Sequence, residues 1–317
     1  MGNKQLNNRV LACFPPIYKT PYGKALHGDS LGIMKSMPAK SVNLVLTSPP
    51  FALRRKKSYG NVRENKYVEW FRPFATEIHR ILTTNGSFVL DLGGSWIKGE
   101  PIRSLYHFEL LLDLCKSSGL FKLAQEFYWF NPAKMPAPAE WVTIRRIRVK
   151  DAVNTIWWLS KSSNPKASNR WVLTEYKEDM KRLFKYGYNQ DPRPSEHYIS
   201  KVWNRDNKGA IPPNIIVKAN TRSNDPYLSA CKKFGYKPNP ARFVDAIPDF
   251  FIRFLTRPND LVLDPFAGSN VVGYVAEQHR RHWISIEIVK DYVISSRYRF
   301  NKVRICNKEA RKCRENQ

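Results

Sequence analysis

Five short stretches carry the residues able to do chemistry: Asp29-Ser30, Ser48-Pro49-Pro50-Phe51, Asp91-Leu92-Gly93-Gly94, Asp264-Pro265-Phe266-Ala267-Gly268 and Glu287. In the second, two adjacent prolines withhold two backbone N–H donors and fix two φ angles. What remains is a stiff turn that offers a hydroxyl and a carbonyl as acceptors beside an aromatic ring. In the fourth, Gly268 lets a ligand approach the backbone, and Ser269 and Asn270 suit the first turn of a helix. Glu287 lies roughly 20 residues further on, where an acid can accept from two ribose hydroxyls. Turn and acid together predict a nucleoside cofactor. The turn lacks both G-x-G-x-x-G and G-K-[ST], which argues against a dinucleotide oxidoreductase and against a P-loop.

Each stretch closes or directly follows an apolar run of strand length. "KALHGD" (24–29), "VNLVLT" (42–47), "SFVLDL" (87–92), "LVLDPF" (261–266) and "WISIEI" (283–288) read as strands. Between 65 and 84 the residues Trp70, Phe71, Phe74, Ile78, Ile81 and Leu82 recur at helical spacing, and Asn85-Gly86 predicts the stop. Further helices are expected over 103–117, 242–256, 269–279 and 290–300, and further strands over 123–130 and 154–160. This alternation predicts an α/β fold, an open and mostly parallel sheet with helices on both faces. Ligands of such sheets bind at the carboxyl ends of the strands. All five stretches belong there, which points to one shared crevice. From about 161 to 236 the periodicity fades and Asn, Ser, Lys, Arg, Tyr and Pro dominate, as in "KSSNPKASNRW", so an irregular insertion is expected.

Charge indicates the partner. The 317 residues include 53 Lys and Arg against 27 Asp and Glu, a formal balance of +26. A polyanion is the expected partner, nucleic acid before membrane. No apolar run approaches the ~18 residues of a membrane span, and no signal-peptide h-region is evident. Gly2 invites a myristoylation reading, but Leu6 stands where Ser or Thr is needed. The five cysteines (Cys13, Cys115, Cys231, Cys306 and Cys313) form no C-x-x-C, and the six histidines form no metal-binding pattern. Reduced thiols and no protein-bound metal are expected.

The motifs resemble those of a known family. "LDPFAGSNVVGYVAE" is similar to the S-adenosylmethionine-binding motif of amino-methylating DNA methyltransferases, and "TSPPF" to their catalytic motif in its N4-cytosine form. The catalytic motif precedes the cofactor motif, as in the circularly permuted beta class. The resemblance runs on through "FYWFNPAKMPAPAEWV", "RIRVKDAVNTIWW" and "NPARF", is nearest to the PvuII-type N4-cytosine modification methylases, and is weakest over 161–235. It implies a Rossmann-like methyltransferase sheet with an inserted target-recognition region. The implied division is a catalytic half over 1–160, target recognition over 161–235, a cofactor half over 236–305 and a charged tail over 306–317. Matched motif by motif, Asp264, Phe266, Gly268, Ser269 and Asn270 form the loop around the methionine and adenine, and Glu287 is the ribose acid. Asp29 and Ser30 touch the adenine side, and the segment with Arg242 and Phe243 closes over the methionine end.

The catalytic turn then acquires a reason. An exocyclic amine is a poor nucleophile because its lone pair is delocalised into the ring. Acceptors at the Ser48 hydroxyl and the Pro49 carbonyl would hold its protons out of the ring plane on a pre-stiffened turn. Pro50 keeps a donor away, Phe51 would stack on the base, and Asp91 could orient Ser48. The base must first be flipped out of the duplex. Arg54, Arg55, Lys56 and Lys57, directly after the catalytic turn, and Arg145, Arg146 and Arg148, in a second basic run, are expected to grip double-stranded DNA. A bacterial cytosolic or nucleoid setting and a cognate restriction endonuclease follow from the resemblance. The runner-up activity is adenine N6 methylation. A rival of another class is a non-catalytic DNA-binding protein on a methylase scaffold.

Overall fold

The computed structural model describes residues 14–52, 60, 62–187, 206–221, 225–241 and 243–300. Contacts divide the chain into two compact units, a small one over Ser168–Pro213 and a large one made of the rest.

The large unit is built on one nine-stranded sheet. In chain order its strands are β1 (Tyr18–Lys19), β2 (Gly23–His27), β3 (Val42–Thr47), β4 (Leu82–Leu92), β5 (Lys122–Phe130), β6 (Val153–Ser160), β7 (Ile215–Val217), β8 (Leu261–Asp264) and β9 (His282–Glu287). Their spatial order is β1-β2-β9-β8-β3-β4-β6-β5-β7. The stretch β2-β9-β8-β3-β4 is parallel throughout. Its central strands are buried on both faces, which is why they read as continuous apolar runs and not as alternations. The helices are α1 (Ser30–Ser36), α2 (Tyr67–Ile81), α3 (Tyr106–Leu112), α5 (Pro226–Phe234), α6 (Ala246–Leu255), α7 (Val271–Gln278) and α8 (Lys290–Ser296), with α4 (Glu178–Tyr186) in the small unit. The main core gathers Leu26, Val45, Phe71, Ile78, Phe88, Leu90, Trp157, Leu263 and Ile286 between the sheet and its helices.

Parallel pairing puts the ends of β2, β9, β8, β3 and β4 on one edge. The antiparallel strand β6 brings its beginning to that same edge, because Leu92 pairs with Thr155 and Asp91 with Ile156. Asn154 thereby arrives beside the end of β4. Strand β5 runs antiparallel to β6 and delivers Trp129 there, paired with Asn154.

Two expectations about local structure need correction. Helix α2 ends before Asn85-Gly86, and those residues lie inside β4. The pairing of β3 with β4 jumps from Val42–Leu82 to Leu44–Ser87, so the extra residues form a bulge. The helix end is satisfied from far away: Lys161 Nζ donates to the carbonyls of His79 at 2.6 Å and Leu82 at 2.9 Å. The polar stretch 161–235 is also less irregular than its composition predicts. It contains β7, α4 and α5, and α5 has an Asp225 cap, a proline in its first turn and left-handed Gly235 at its end.

The small unit holds α4 and a bridge between Thr174 and Ala210. The Tyr176 ring meets Phe184 edge-on, and its hydroxyl donates to Asp206.

Candidate active site

The Ser48-Pro49-Pro50-Phe51 turn follows β3, and three groups hold it. Tyr67, buried in α2, donates its hydroxyl to the Pro50 carbonyl at 2.8 Å. Tyr106 packs edge-on against Tyr67 and donates to the Gly93 carbonyl, joining the turn's support to the end of β4. The Phe51 ring lies directly on Gly93, where an added Cβ would come within 2.5 Å of it, so glycine there makes room for the ring.

Ser48 Oγ donates to Asp91 Oδ2 at 3.1 Å, and Asn154 Nδ2 reaches Asp91 Oδ1 at 3.5 Å. Asp91 is 2% exposed. Burial pushes its carboxyl up to about 7, against the lowering effect of Ser48 and Asn154. A serine hydroxyl that donates to a carboxylate keeps its lone pairs for another donor. The Pro49 carbonyl adds a second acceptor next to it.

A cavity of about 730 Å³ opens between this turn and the ends of β2, β8 and β9. Ser48, Pro49, Pro50, Phe51 and Asp91 line it from one side, and Asp29, Ser30, Phe243, Asp264, Phe266, Gly268, Ser269 and Glu287 from the other. Asp29 also caps α1, accepting from the backbone N–H of Leu31 and Gly32. Thr47 donates to Asp264 Oδ1 at 2.6 Å, latching β3 to β8, and burial pushes Asp264 up to about 7. Phe266 packs against Trp70, Phe71 and Phe74 to give the cavity an apolar wall.

Glu287 accepts from Gly268 N at 2.8 Å through one oxygen and from Val289 N at 2.9 Å through the other. Burial raises its pKa and these two N–H groups pull it back. Each carboxylate oxygen retains an acceptor position for a ligand hydroxyl. Gly268 has φ +51° and sits so near Asn239 that a Cβ would be 2.3 Å from its amide. Glycine is needed there on both counts.

Asn270 does not line the cavity. It caps α7 by accepting from Gly273 N, accepts from Ser285 Oγ and donates to Tyr18, so its polar atoms hold the turn from behind. Arg145 stacks on Trp141 and Arg148 on Trp96, while Arg146 is exposed with φ 52°. Arg54, Arg55, Lys56, Lys57 and Arg242 lie outside the described residues.

Four contributors escape sequence reasoning: Tyr67, Tyr106, Asn154 and Arg299. Arg299 is partly buried and bonded through every nitrogen. It donates to the Ser269 carbonyl at 2.6 Å, to Ser269 Oγ at 3.0 Å and to both oxygens of Asp225. Its guanidinium also lies over Tyr227, whose hydroxyl accepts from Asn239 N. One side chain thus braces the glycine turn and the segment facing it. Only the Asp-Pro start of α5 and the basic character of the last helix hint at this in the sequence.

A sheet with a five-strand parallel centre, carrying a buried acid, a glycine turn and an acceptor-rich proline turn on one rim, is the arrangement of a methyltransferase of the nucleoside-cofactor class. The chain belongs to the N6/N4 DNA methylase family, whose model matches residues 42–297. It is 50% identical over 288 residues to the type II methyltransferase M.PvuII of Proteus hauseri, covering 90% of this chain and 85% of that one. It is 26% identical to the DNA adenine methyltransferase YhdJ of Escherichia coli, over 89% of this chain and 83% of that one. The solved structure of PvuII DNA methyltransferase (cytosine-N4-specific) matches with a TM-score of 0.74 at 44% identity, over 93% of this chain and 91% of the other.

Proposed function

We propose that this chain transfers a methyl group from S-adenosylmethionine to the exocyclic N4 amine of a cytosine in DNA, as the modification enzyme of a type II restriction–modification system. The observation that carries this reading is the Ser48–Asp91 pair on a proline-stiffened turn. The similarity to a cytosine-N4-specific enzyme over 93% of the chain supports the choice of base.

The residues present fit the cofactor. Glu287 has acceptor positions for two ribose hydroxyls, Gly268 gives close backbone approach, and Phe266 offers an apolar face. When bound, the sulfonium supplies an electrophilic methyl group and leaves as a neutral thioether. The chain's own residues prepare the nucleophile. Ser48 Oγ and the Pro49 carbonyl accept the two amine N–H groups and so free the nitrogen lone pair. As the N–C bond forms, one amine proton passes to Ser48 Oγ, and the Ser48 proton passes to Asp91 Oδ2. The amine exchanges one hydrogen for one methyl, and Asp91 ends protonated. Phe51 stacks on the flipped base.

The +26 balance supports DNA as the polyanion. Target recognition falls to the insertion around 161–235, a cognate endonuclease shares the site, and the enzyme works in the bacterial cytosol. Incubation with plasmid DNA and S-adenosylmethionine, followed by nucleoside mass spectrometry, is expected to yield N4-methylcytosine. N6-methyladenine would overturn the choice of base. No modified base, with the cofactor bound, would favour the non-catalytic DNA-binding reading.

Glu287→Gln is expected to weaken S-adenosylmethionine binding about a hundredfold. It removes the charge from two hydrogen bonds to hydroxyls and turns an amide toward backbone donors, at about 3 kcal/mol together. Isothermal titration calorimetry checks this; an unchanged Kd would remove Glu287 from the ribose.

A further inference from the structure

A second cleft, of about 1290 Å³, opens on the same rim, and most of its lining is not used by the chemistry above. It shares Phe51, Lys134 and Asn154 with the cofactor cavity, so the two are neighbours across one wall. Two tryptophans, Trp96 and Trp141, form its other sides. Both are braced by arginine. The Arg148 guanidinium lies 3.7 Å above the Trp96 ring and donates to the Pro101 carbonyl, and Arg145 lies 5.0 Å from the Trp141 ring. Arg103 holds Trp96 from another side, 5.9 Å from its ring, while paired with Asp151 at 3.0 Å.

Charge and size limit what can enter. Among the described residues of the lining, Arg63, Lys98, Arg103 and Lys134 outnumber the acids Glu64 and Asp151. The cleft exceeds the roughly 300–1,000 Å³ of a small-molecule site. Cations beside rigid aromatic planes are what single-stranded nucleic acid requires: charge for the phosphates and flat faces for the bases. Lys134 stands at the junction of the two cavities and is exposed.

We infer that this cleft takes the nucleotide next to the target cytosine on the same strand, unstacked from the duplex. Its base lies against Trp96 and Trp141, and the phosphate joining the two nucleotides lies at Lys134. The enzyme therefore opens two consecutive nucleotides. The inference rests on the reading that a cytosine is flipped to Ser48, and the experiment separates the two.

Once the methylated site is known, 2-aminopurine is placed in three duplexes, at the target base or at either neighbour on its strand, and fluorescence is read as full-length enzyme is added. Unstacking relieves the quenching of this base. A several-fold rise is expected at the target and at one of the two neighbours. A rise at the target alone would overturn the inference and leave flipping intact. No rise at any position would overturn the flipping reading and the inference with it. Trp141→Leu is expected to abolish the neighbour's rise, keep the target's, and weaken DNA binding about tenfold. Should that variant fail to fold, Lys134→Met, at an exposed side chain, provides the second test. It should weaken binding to natural duplex but add nothing when the joining phosphate is a methylphosphonate. Fully additive losses would count against Lys134 at that phosphate and sink the inference.

Discussion

Ser48→Ala is expected to lower the rate of methyl transfer by about a hundred- to a thousandfold while changing S-adenosylmethionine affinity less than about threefold. Two effects combine on the rate. The variant removes one of the two acceptors that hold the amine protons out of the ring plane. It also leaves buried Asp91 Oδ2 without the hydroxyl that now donates to it at 3.1 Å. Losing that donor raises the Asp91 pKa further, because Ser48 is its leading stabiliser against burial. Proton acceptance is then expected to fail near neutral pH. Affinity is expected to be spared because the cofactor contacts proposed above lie elsewhere, at Glu287 and the Gly268 turn. Single-turnover methylation and equilibrium titration of the cofactor, run on the same preparation, separate the two quantities. Equal losses in both would remove Ser48 from the chemistry and make it a cofactor contact.

Much of this site can be found before any coordinates exist, for a physical reason. Strands buried on both faces must be apolar throughout, so a polar or glycine residue at the end of such a run stands out. Asp29, Ser48, Asp91, Asp264 and Glu287 are all of that kind. What holds them cannot be seen that way. Tyr67 meets Pro50 and Tyr106 meets Gly93 only because α2 and α3 pack against the rim. Asn154 reaches Asp91 because β6 runs against β4, and nothing local in "DAVNTIWW" fixes that direction. Arg299 reaches Ser269 and Asp225 from the last helical turn. Long-range contacts also override local signals. Asn85-Gly86 is a good helix stop by its chemistry, yet Lys161 caps α2 and the pair becomes a bulge in β4. The opposite error occurs at α5, where Asp225-Pro226 and Gly235 mark both ends and the polar composition around them hides the helix. Asn270 is a subtler case. Its place beside Gly268 suggests a ligand contact, whereas its amide serves α7, Ser285 and Tyr18.

Asp91→Asn is expected to abolish most activity and to make the protein more stable, and the two effects have one cause. An aspartate of ordinary pKa 3.8 that is raised by burial to about 7 opposes folding once it ionises. Below pH 4 both folded and unfolded chains carry the proton, and the residue costs nothing. Between pH 4 and 7 the unfolded chain releases its proton and the folded chain keeps it, so the cost grows. Above pH 7 both are ionised and the cost is complete, about 4 kcal/mol. Asparagine lacks the charge and can still accept from Ser48, with Asn154 turning its amide to match. Its Tm should therefore exceed that of the natural protein at pH 8 and equal it near pH 4. The rate should respond in the opposite sense. In the natural enzyme it is expected to rise tenfold per pH unit below about 7, as Asp91 becomes able to take the proton from Ser48, and to level above. In the variant it should be lower by about a hundredfold or more and show no such rise. Calorimetry across pH and single-turnover rates across the same range provide the test. A variant that is less stable at pH 8 would mean that Asp91 is held ionised by partners and not penalised by burial. A variant that keeps the full pH-dependent rate would place the proton acceptor elsewhere on the rim, with Asp264, also pushed up to about 7, the next residue to change.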